Sequence, residues 1–481
     1  MHHRLIRLKQ SFIRIAELMA VAALVIVLGE LMLSRSLYRN TNFNGGYLSI
    51  LEEPAEGDRI LVFAPHEDDE VLGAGVYIQR ALSVGAEVIV CLITNGEYPE
   101  ASVMLQERTL STKPETFIKY GYSRQKETLE ALEVLGLGEE SVIFLGYPDH
   151  AIDKLISPLH WQDKDALMSI RTRSTFSPYS NSFTPSTPHS GRSLLRDIED
   201  ILDFVKPDIV VAVHPHDIHI DHWSTYAFVK MALADAESRW AGRKSPKLII
   251  YMVHRPEWPA IKSRRPAFSL VPPKGFAGLD GTHWYAFPAE ISETILKNIA
   301  LRSFKSQLSS LSPLLNSFVR ANELFGVVPD QKWFMSMGET PLDLPGEPVA
   351  DNSICQRSPH ADISGMQLAL EGSIISVQVS LAKPMTQAVG LEIGFVLGGV
   401  DRQTQVGSLK YSLGTLTGSY SADEIGHFEG DDISFASSSN MAKFTFPLPQ
   451  KEHPGWMMVW CRSYIGLRNI DQSLIHFIRF M

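Results

Sequence analysis

Ala64-Pro65-His66-Glu67-Asp68-Asp69-Glu70 stands where a short apolar strand, Ile60–Pro65, gives way to a helix that begins with Val71 and Leu72 and includes Tyr77. In open α/β sheets the carboxyl ends of strands are where ligands bind. From Arg59 onward, short Val-, Ile- and Leu-rich runs alternate with helical patterns, as in a parallel sheet covered by helices on both faces. The predicted strands are Ile60–Pro65, Glu87–Thr94, Val142–Leu145, Asp208–Val213 and Leu248–Val253. Between them, Ser123–Leu135 sets Leu129, Leu132 and Leu135 on one helical face and stops at Gly136. Leu194, Ile198, Ile201, Leu202 and Val205 do the same ahead of Lys206-Pro207. The expected fold is a Rossmann-like, doubly wound α/β domain with a mostly parallel sheet.

Two stretches interrupt the alternation and read as long loops: Glu97–Tyr122 and the Ser/Thr/Pro-rich Thr172–Ser193. Such loops either line a site or elaborate a surface. Pro288–Phe325 reads as mostly helical, and the Pro/Gly-rich Glu339–Pro348 as a linker. Beyond it the period changes to two, with Ile375, Val377, Val379 and Leu381 alternating with polar residues and Leu391, Ile393, Phe395 and Leu397 repeating the pattern. That predicts a C-terminal antiparallel β domain. The expected division is a membrane-anchor or signal segment over 1–36, the α/β domain over 37–338, a linker over 339–350 and a β-rich accessory domain over 351–481.

The chain has 481 residues, 44% apolar and 20% charged, the composition of a globular protein with more than one domain. Phe12–Leu33 is the local exception, an apolar run behind Arg4, Arg7 and Lys9 that matches the ~20 residues of a bilayer span. Its only Ala-x-Ala ahead of Arg35, Ala20-Val21-Ala22, lies inside the apolar run, so an uncleaved anchor is preferred to a removed signal. The basic residues in front favour a cytoplasmic N-terminus and an extracytoplasmic body. A net charge of -10 argues against nucleic acid as a partner. Of three cysteines, Cys91 reads as core, and Cys355 and Cys461 are a possible disulfide if the body is extracytoplasmic.

His66 and Asp69, three apart across a strand-to-helix turn, can point at one centre while Asp68 stays free. A metal with an open position needs that division of labour: imidazole and carboxylate as ligands, and a separate carboxylate to take a proton from water. An acidic run opening a helix is also what the macrodipole alone favours. The second constellation, His214-Pro215-His216-Asp217-Ile218-His219-Ile220-Asp221-His222, again follows an apolar strand and holds four of the sixteen histidines in nine residues. Such a cluster points to metal binding or proton transfer. His219 and His222 could share one face of a turn, one binding metal and the other meeting the substrate.

These stretches resemble the LmbE-like or PIG-L deacetylases, which remove acetyl groups from N-acetylglucosamine-type sugars. The family's first signature, Ala/Pro-His-Pro-Asp-Asp-Glu, is matched by Pro65–Glu70 except that Glu67 replaces the central proline, and the second, His-x-Asp-His, is intact as His219–His222. Thr94-Asn95-Gly96, Arg124-x-x-Glu127, Leu145-Gly146-Tyr147-Pro148-Asp149, and Lys297 through Ser306-Gln307 extend the likeness over roughly residues 58–325. The resemblance implies that His66, Asp69 and His222 ligate zinc and that Asp68 is the general base. It further implies that His219 protonates the leaving amine or steadies the oxyanion, with Asp221 orienting His219. Glu67 would loosen the backbone and add a carboxylate beside the metal.

Arg124 and Glu127 are candidate substrate contacts, with an ordinary helix-surface ion pair as the alternative. Trp258, Trp284, Lys262, Arg264 and Arg265 read as core packing and a solvated loop rather than a glycan platform. The expected function is zinc-dependent hydrolysis of the N-acetyl group of an N-acetylglucosamine-type sugar in a glycan or glycoconjugate, with membrane contact through the N-terminal helix. The competing readings are a non-catalytic glycan-binding protein on the same fold and a deacylase acting on another amide or an O-acetyl ester.

Overall fold

The computed structural model describes residues 48–481 apart from 241, 256–257, 274, 277–280, 335–339, 351–352, 399–403, 422–424, 429–431 and 450–453. The expected anchor over 1–36 therefore lies outside the described residues. Among those described, no helix is long and apolar enough to cross a membrane.

The N-terminal part is built on an eight-stranded sheet in the order β1-β7-β8-β6-β5-β2-β3-β4. Strands β2 (Arg59–Ala64), β3 (Glu87–Thr94), β4 (Val142–Tyr147), β5 (Ile209–Val213) and β6 (Lys247–Tyr251) are parallel. They coincide with the five predicted strands to within two residues, because runs buried on both faces must be continuously apolar: Ile60 to Ala64 are all 0% exposed. The chain leaves β2 toward β3 and β4, then returns to lay β5 on the other side of β2. The ends of β2 and β5 thus flank the switch point, where loops diverge and leave a crevice.

The outer strands were not expected. β7 (His283–Pro288) and β8 (Asn322–Val327) pair antiparallel, and β1 (Ser49–Ile50) runs parallel to β7. Pro288–Phe325 does hold two helices, α7 (Ile291–Ala300) and α8 (Lys305–Ser317), but it ends in a strand. The pairing of Phe325 with Tyr285 and Tyr251, and its ring contact with Tyr77, is long-range and leaves no local periodicity. Glu97–Tyr122 is likewise not a loop. It contains α2 (Glu100–Gln106) and the first turns of α3 (Pro114–Val134), whose opening proline needs no amide partner. Thr172–Ser193 has no regular element before α5 (Gly191–Val205), whose first turn is capped by the Ser190 side chain. The remaining helices of this part are α1 (Asp69–Ser83), the single-turn α4 (Ile152–Leu155) and α6 (Ile220–Arg239).

Beyond residue 330 the chain forms two further sheets: an antiparallel one in the order Leu342–Asp343, Ile363–Glu371, Ile374–Leu381, Met441–Pro447 and Ser434–Ser438, and a mostly antiparallel one that runs from Ile425–His427 to His476–Phe480 and ends on Gln331–Trp333, paired parallel to His476–Phe480. Alternation is as read: Ile375, Val377, Val379 and Leu381 are buried along one face, and Phe446 from the first sheet stacks on Phe395 from the second. Cys355 and Cys461 are both buried and neither is in a disulfide, so the suggested bridge is not formed. The second sheet also covers α6. Trp460 lies 5.8 Å from Trp223, and Trp456 donates its indole N–H to Asp235.

Candidate metal centre and active site

The turn from β2 into α1 is held by Asp68, a non-glycine residue at φ 107°. Its amide donates to Glu70 Oε2, and its carbonyl accepts from Val71 and Leu72, which closes the first helical turn. That geometry brings His66 and Asp69 onto one centre and leaves the Asp68 side chain on the wall of a cavity of about 120 Å³. The second loop enters from the other side of the switch point: His219 caps α6 by accepting the Asp221 amide, and His222 lies in the first turn.

Three atoms form a near-equilateral triangle. His66 Nδ1 and His222 Nε2 are 3.2 Å apart, and they lie 3.2 and 3.0 Å from Asp69 Oδ2. The far nitrogens are committed to carboxylates: His222 Nδ1 lies 3.1 Å from Asp217 Oδ2, and His66 Nε2 lies 3.1 Å from Asp221 Oδ2 and 3.2 Å from Asp149 Oδ1. Those acceptors fix the tautomers, so both near nitrogens present lone pairs to a carboxylate oxygen. Lone pairs facing one another need a cation or a proton between them. A tetrahedral ion with bonds of 2.0–2.1 Å would have ligand edges of about 3.3–3.4 Å. The buried Asp69 Oδ1 has no other partner among the described residues. The donor set therefore fits a divalent metal.

The electrostatics say the same. Burial alone would lower the pKa of His222, but Asp217 and Asp69 outweigh it and raise the value to about 9. Burial likewise opposes the ionisation of Asp69, yet His222 and His66 hold its carboxyl well below the usual range. The Asp68 carboxyl is pushed up to about 8 by burial and by the charge of Asp69. His219, a quarter exposed, meets His66 edge to face at 4.6 Å, and burial and neighbouring imidazoles push its pKa well below 6.5.

Residues 61–233, from β2 through most of α6, match the family model for GlcNAc-PI de-N-acetylase, PIG-L. This stretch belongs to the PIG-L family. Among solved structures, the chain is similar to the A40926 pseudoaglycone deacetylase (18% identity, 56% of this chain and 97% of that one, TM-score 0.37). It is also similar to N,N'-diacetylchitobiose deacetylase from Pyrococcus horikoshii (20%, 55% and 82%, TM-score 0.33) and to the 4-carboxy-2-hydroxymuconate hydratase of Pseudomonas putida (17%, 56% and 96%, TM-score 0.34). Comparison with curated proteins gives no match.

Within this stretch the structure places three of the expected site residues as follows. The Asp221 carboxylate faces His66 rather than His219, whose Nδ1 is 4.0 Å away, because it is drawn into the loop after β4, where it accepts the amides of His150 at 2.6 Å and Ile152 at 2.9 Å. Glu127 is not on the cavity wall: it accepts the amide and hydroxyl of Ser306, in the first turn of α8, where helical amides lack partners. Arg124 does reach the cavity, but as part of its frame, donating to the carbonyls of Gly96 and Glu67 and lying 3.4 Å from the Glu67 carboxylate. Gly96, at φ 58°, is required there, since a Cβ would lie 1.6 Å from Arg124 Nη1.

Four residues escaped the sequence reading of roles. Asp149 was part of a quoted motif and Asp217 part of the histidine cluster, so their signal was present. His254 follows β6 and meets the His222 ring at 4.6 Å, and Tyr98 stacks on His150; neither stands in a local pattern. Trp258 and Trp284 are buried, the latter stacked on His214.

Proposed function

We propose that this chain is a zinc-dependent N-deacetylase that removes the acetyl group from an N-acetylglucosamine-type sugar in a glycan or glycoconjugate. The observation that carries the reading is the convergence of three lone pairs, from His66, Asp69 and His222, beside the uncommitted carboxyl of Asp68. When bound, zinc would act as a Lewis acid, polarising the amide carbonyl and making water acidic enough to ionise near neutral pH. Asp68 takes the proton from the attacking water: it is the carboxyl left over beside the ligand triangle, and the positive charge of a bound metal would lower its raised pKa and keep it ionised. His219 faces the same cavity and, as the neutral imidazole its lowered pKa dictates, steadies the oxyanion through its N–H or relays to the departing nitrogen the proton that Asp68 has taken. The C–N bond breaks, and acetate and the free amine leave. Arg124 and Asp149 hold the cavity wall, and Leu72, Pro99, Leu311 and Leu314 give it an apolar side.

The anchor reading of Phe12–Leu33, with an extracytoplasmic body, and the division into an α/β domain over 37–338 and an accessory domain over 351–481 belong to the same proposal. Acetate release from N-acetylglucosamine conjugates by the purified chain, together with its zinc content, tests the function. About one zinc per chain is expected, with activity lost on chelation. Asp68→Asn should lower turnover by about 10²–10⁴-fold and leave the melting temperature within a few degrees. Full activity in Asp68→Asn would remove the assigned base, and hydrolysis of O-acetyl esters alone would overturn the substrate.

A further inference from the structure

Helix α7 is turned inside out. Its inward residues are Thr294, Lys297 and Ala300, with Lys297 bonded to Glu323 at 2.6 Å and to the Leu72 carbonyl at 2.8 Å. Its outward residues are Ile291, Ile295, Leu296 and Ile299, exposed by 81, 54, 39 and 44%. At the helical repeat these four share one side. A helix facing water shows the reverse arrangement, apolar inside and charged outside. The inner lysine is accounted for by its carboxylate partner, whereas a row of exposed isoleucines marks a surface that something apolar covers.

The place where the rest of the chain joins the body indicates the cover. Strand β1 pairs with β7, and β7 runs directly into α7. Arg80 bonds Glu53, just after β1, and Glu293, in the first turn of α7. Ile50 of β1, paired with Ala286 of β7, is also exposed, by 60%. Residues 34–47 are all that separates the apolar segment Phe12–Leu33 from this corner, a reach of at most about 50 Å. We propose that the outer face of α7 rests in the interfacial layer of the bilayer that Phe12–Leu33 enters, so that the catalytic body has a second contact with lipid and a fixed orientation on it. This rests on the reading of that segment as an anchor.

All three native cysteines are buried, so an Ile295→Cys variant of the full chain can be spin-labelled selectively. In phosphatidylcholine vesicles, flotation reports insertion of the anchor, and the accessibility of the label to oxygen against a water-soluble nickel complex reports the face. The oxygen-to-nickel ratio at position 295 should exceed that of a label at Leu467→Cys, on a turn far from α7 in sequence, by about threefold or more. Equal ratios in chain that floats would overturn the proposal while leaving the anchor intact. Shielding of position 295 that is already complete without lipid would overturn it in favour of cover by the chain itself or a second copy. Chain that does not float would sink the anchor and the proposal together, whereas loss of acetate release would bear only on the function.

Discussion

Asp217 shows how much of the centre lies behind its ligands. Buried beneath the loop, it accepts from His222 Nδ1 and from the backbone amides of His219, Val253 and His254, so one carboxylate fixes both a ligand tautomer and the turn that carries it. Asp217→Asn would offer one acceptor oxygen in place of two and would place an N–H₂ against donors. Metal affinity should fall by about 10–100-fold, which competition with a chromogenic chelator would measure; unchanged affinity would mean that the tautomer is set elsewhere. At Glu67, where the signature that this stretch resembles has proline, the side chain is buried against Arg124 and its carboxyl is raised by burial, against the pull of Arg124, to about 7. The convergence of His66, Asp69 and His222 was legible because both motifs are local runs at strand ends. The bond of Glu127 to Ser306 was not legible, because Ser306 is 179 residues away and nothing within α3 announces it.

At the scale of elements, α1 must approach β6 closely for its first turn to reach the switch point. Gly73 permits this: a Cβ there would lie 2.0 Å from the Tyr251 ring, which is buried and donates its hydroxyl to the Phe63 carbonyl. With the ring held at both ends, Gly73→Ala should cost about 1–3 kcal/mol, read as a shift in the urea midpoint. A variant as stable as the parent would show that the ring can move aside. The parallel strands could be read from sequence since burial on both faces leaves continuous apolar runs. The edge strands β7 and β8 could not, because each is fixed by an antiparallel neighbour and by rings such as Phe287 on Tyr77 rather than by its own periodicity.

At the scale of the whole molecule, the C-terminal sheets share a core with the α/β part. Val396, Trp456, Met458, Trp460 and Phe477 fall in the same apolar cluster as Trp223 and Phe228 of α6, and Arg479 pairs with Glu237 and Asp330. The chain should therefore unfold in one calorimetric transition; two resolved transitions would mean that the sheets are separable. Acid should weaken it. His476 is fully enclosed, and burial alone lowers its pKa to about 3. Between that value and the unfolded value near 6.5 only the unfolded chain takes the proton, so the stability held above pH 6.5 is lost as pH falls, by about 2 kcal/mol at pH 5 for this group. Denaturant melts at pH 7 and pH 5 should show a smaller loss in His476→Leu; an equal loss would place the acid sensitivity in other groups. Sequence alone determined the parallel core, the two strand-end motifs and the change to a period of two, because burial on fixed faces and strand-to-helix turns write themselves locally. Only the tertiary structure decided which carboxylate faces which histidine, that α7 turns its lysine inward, and that the β sheets buttress α6, because each depends on a partner far along the chain.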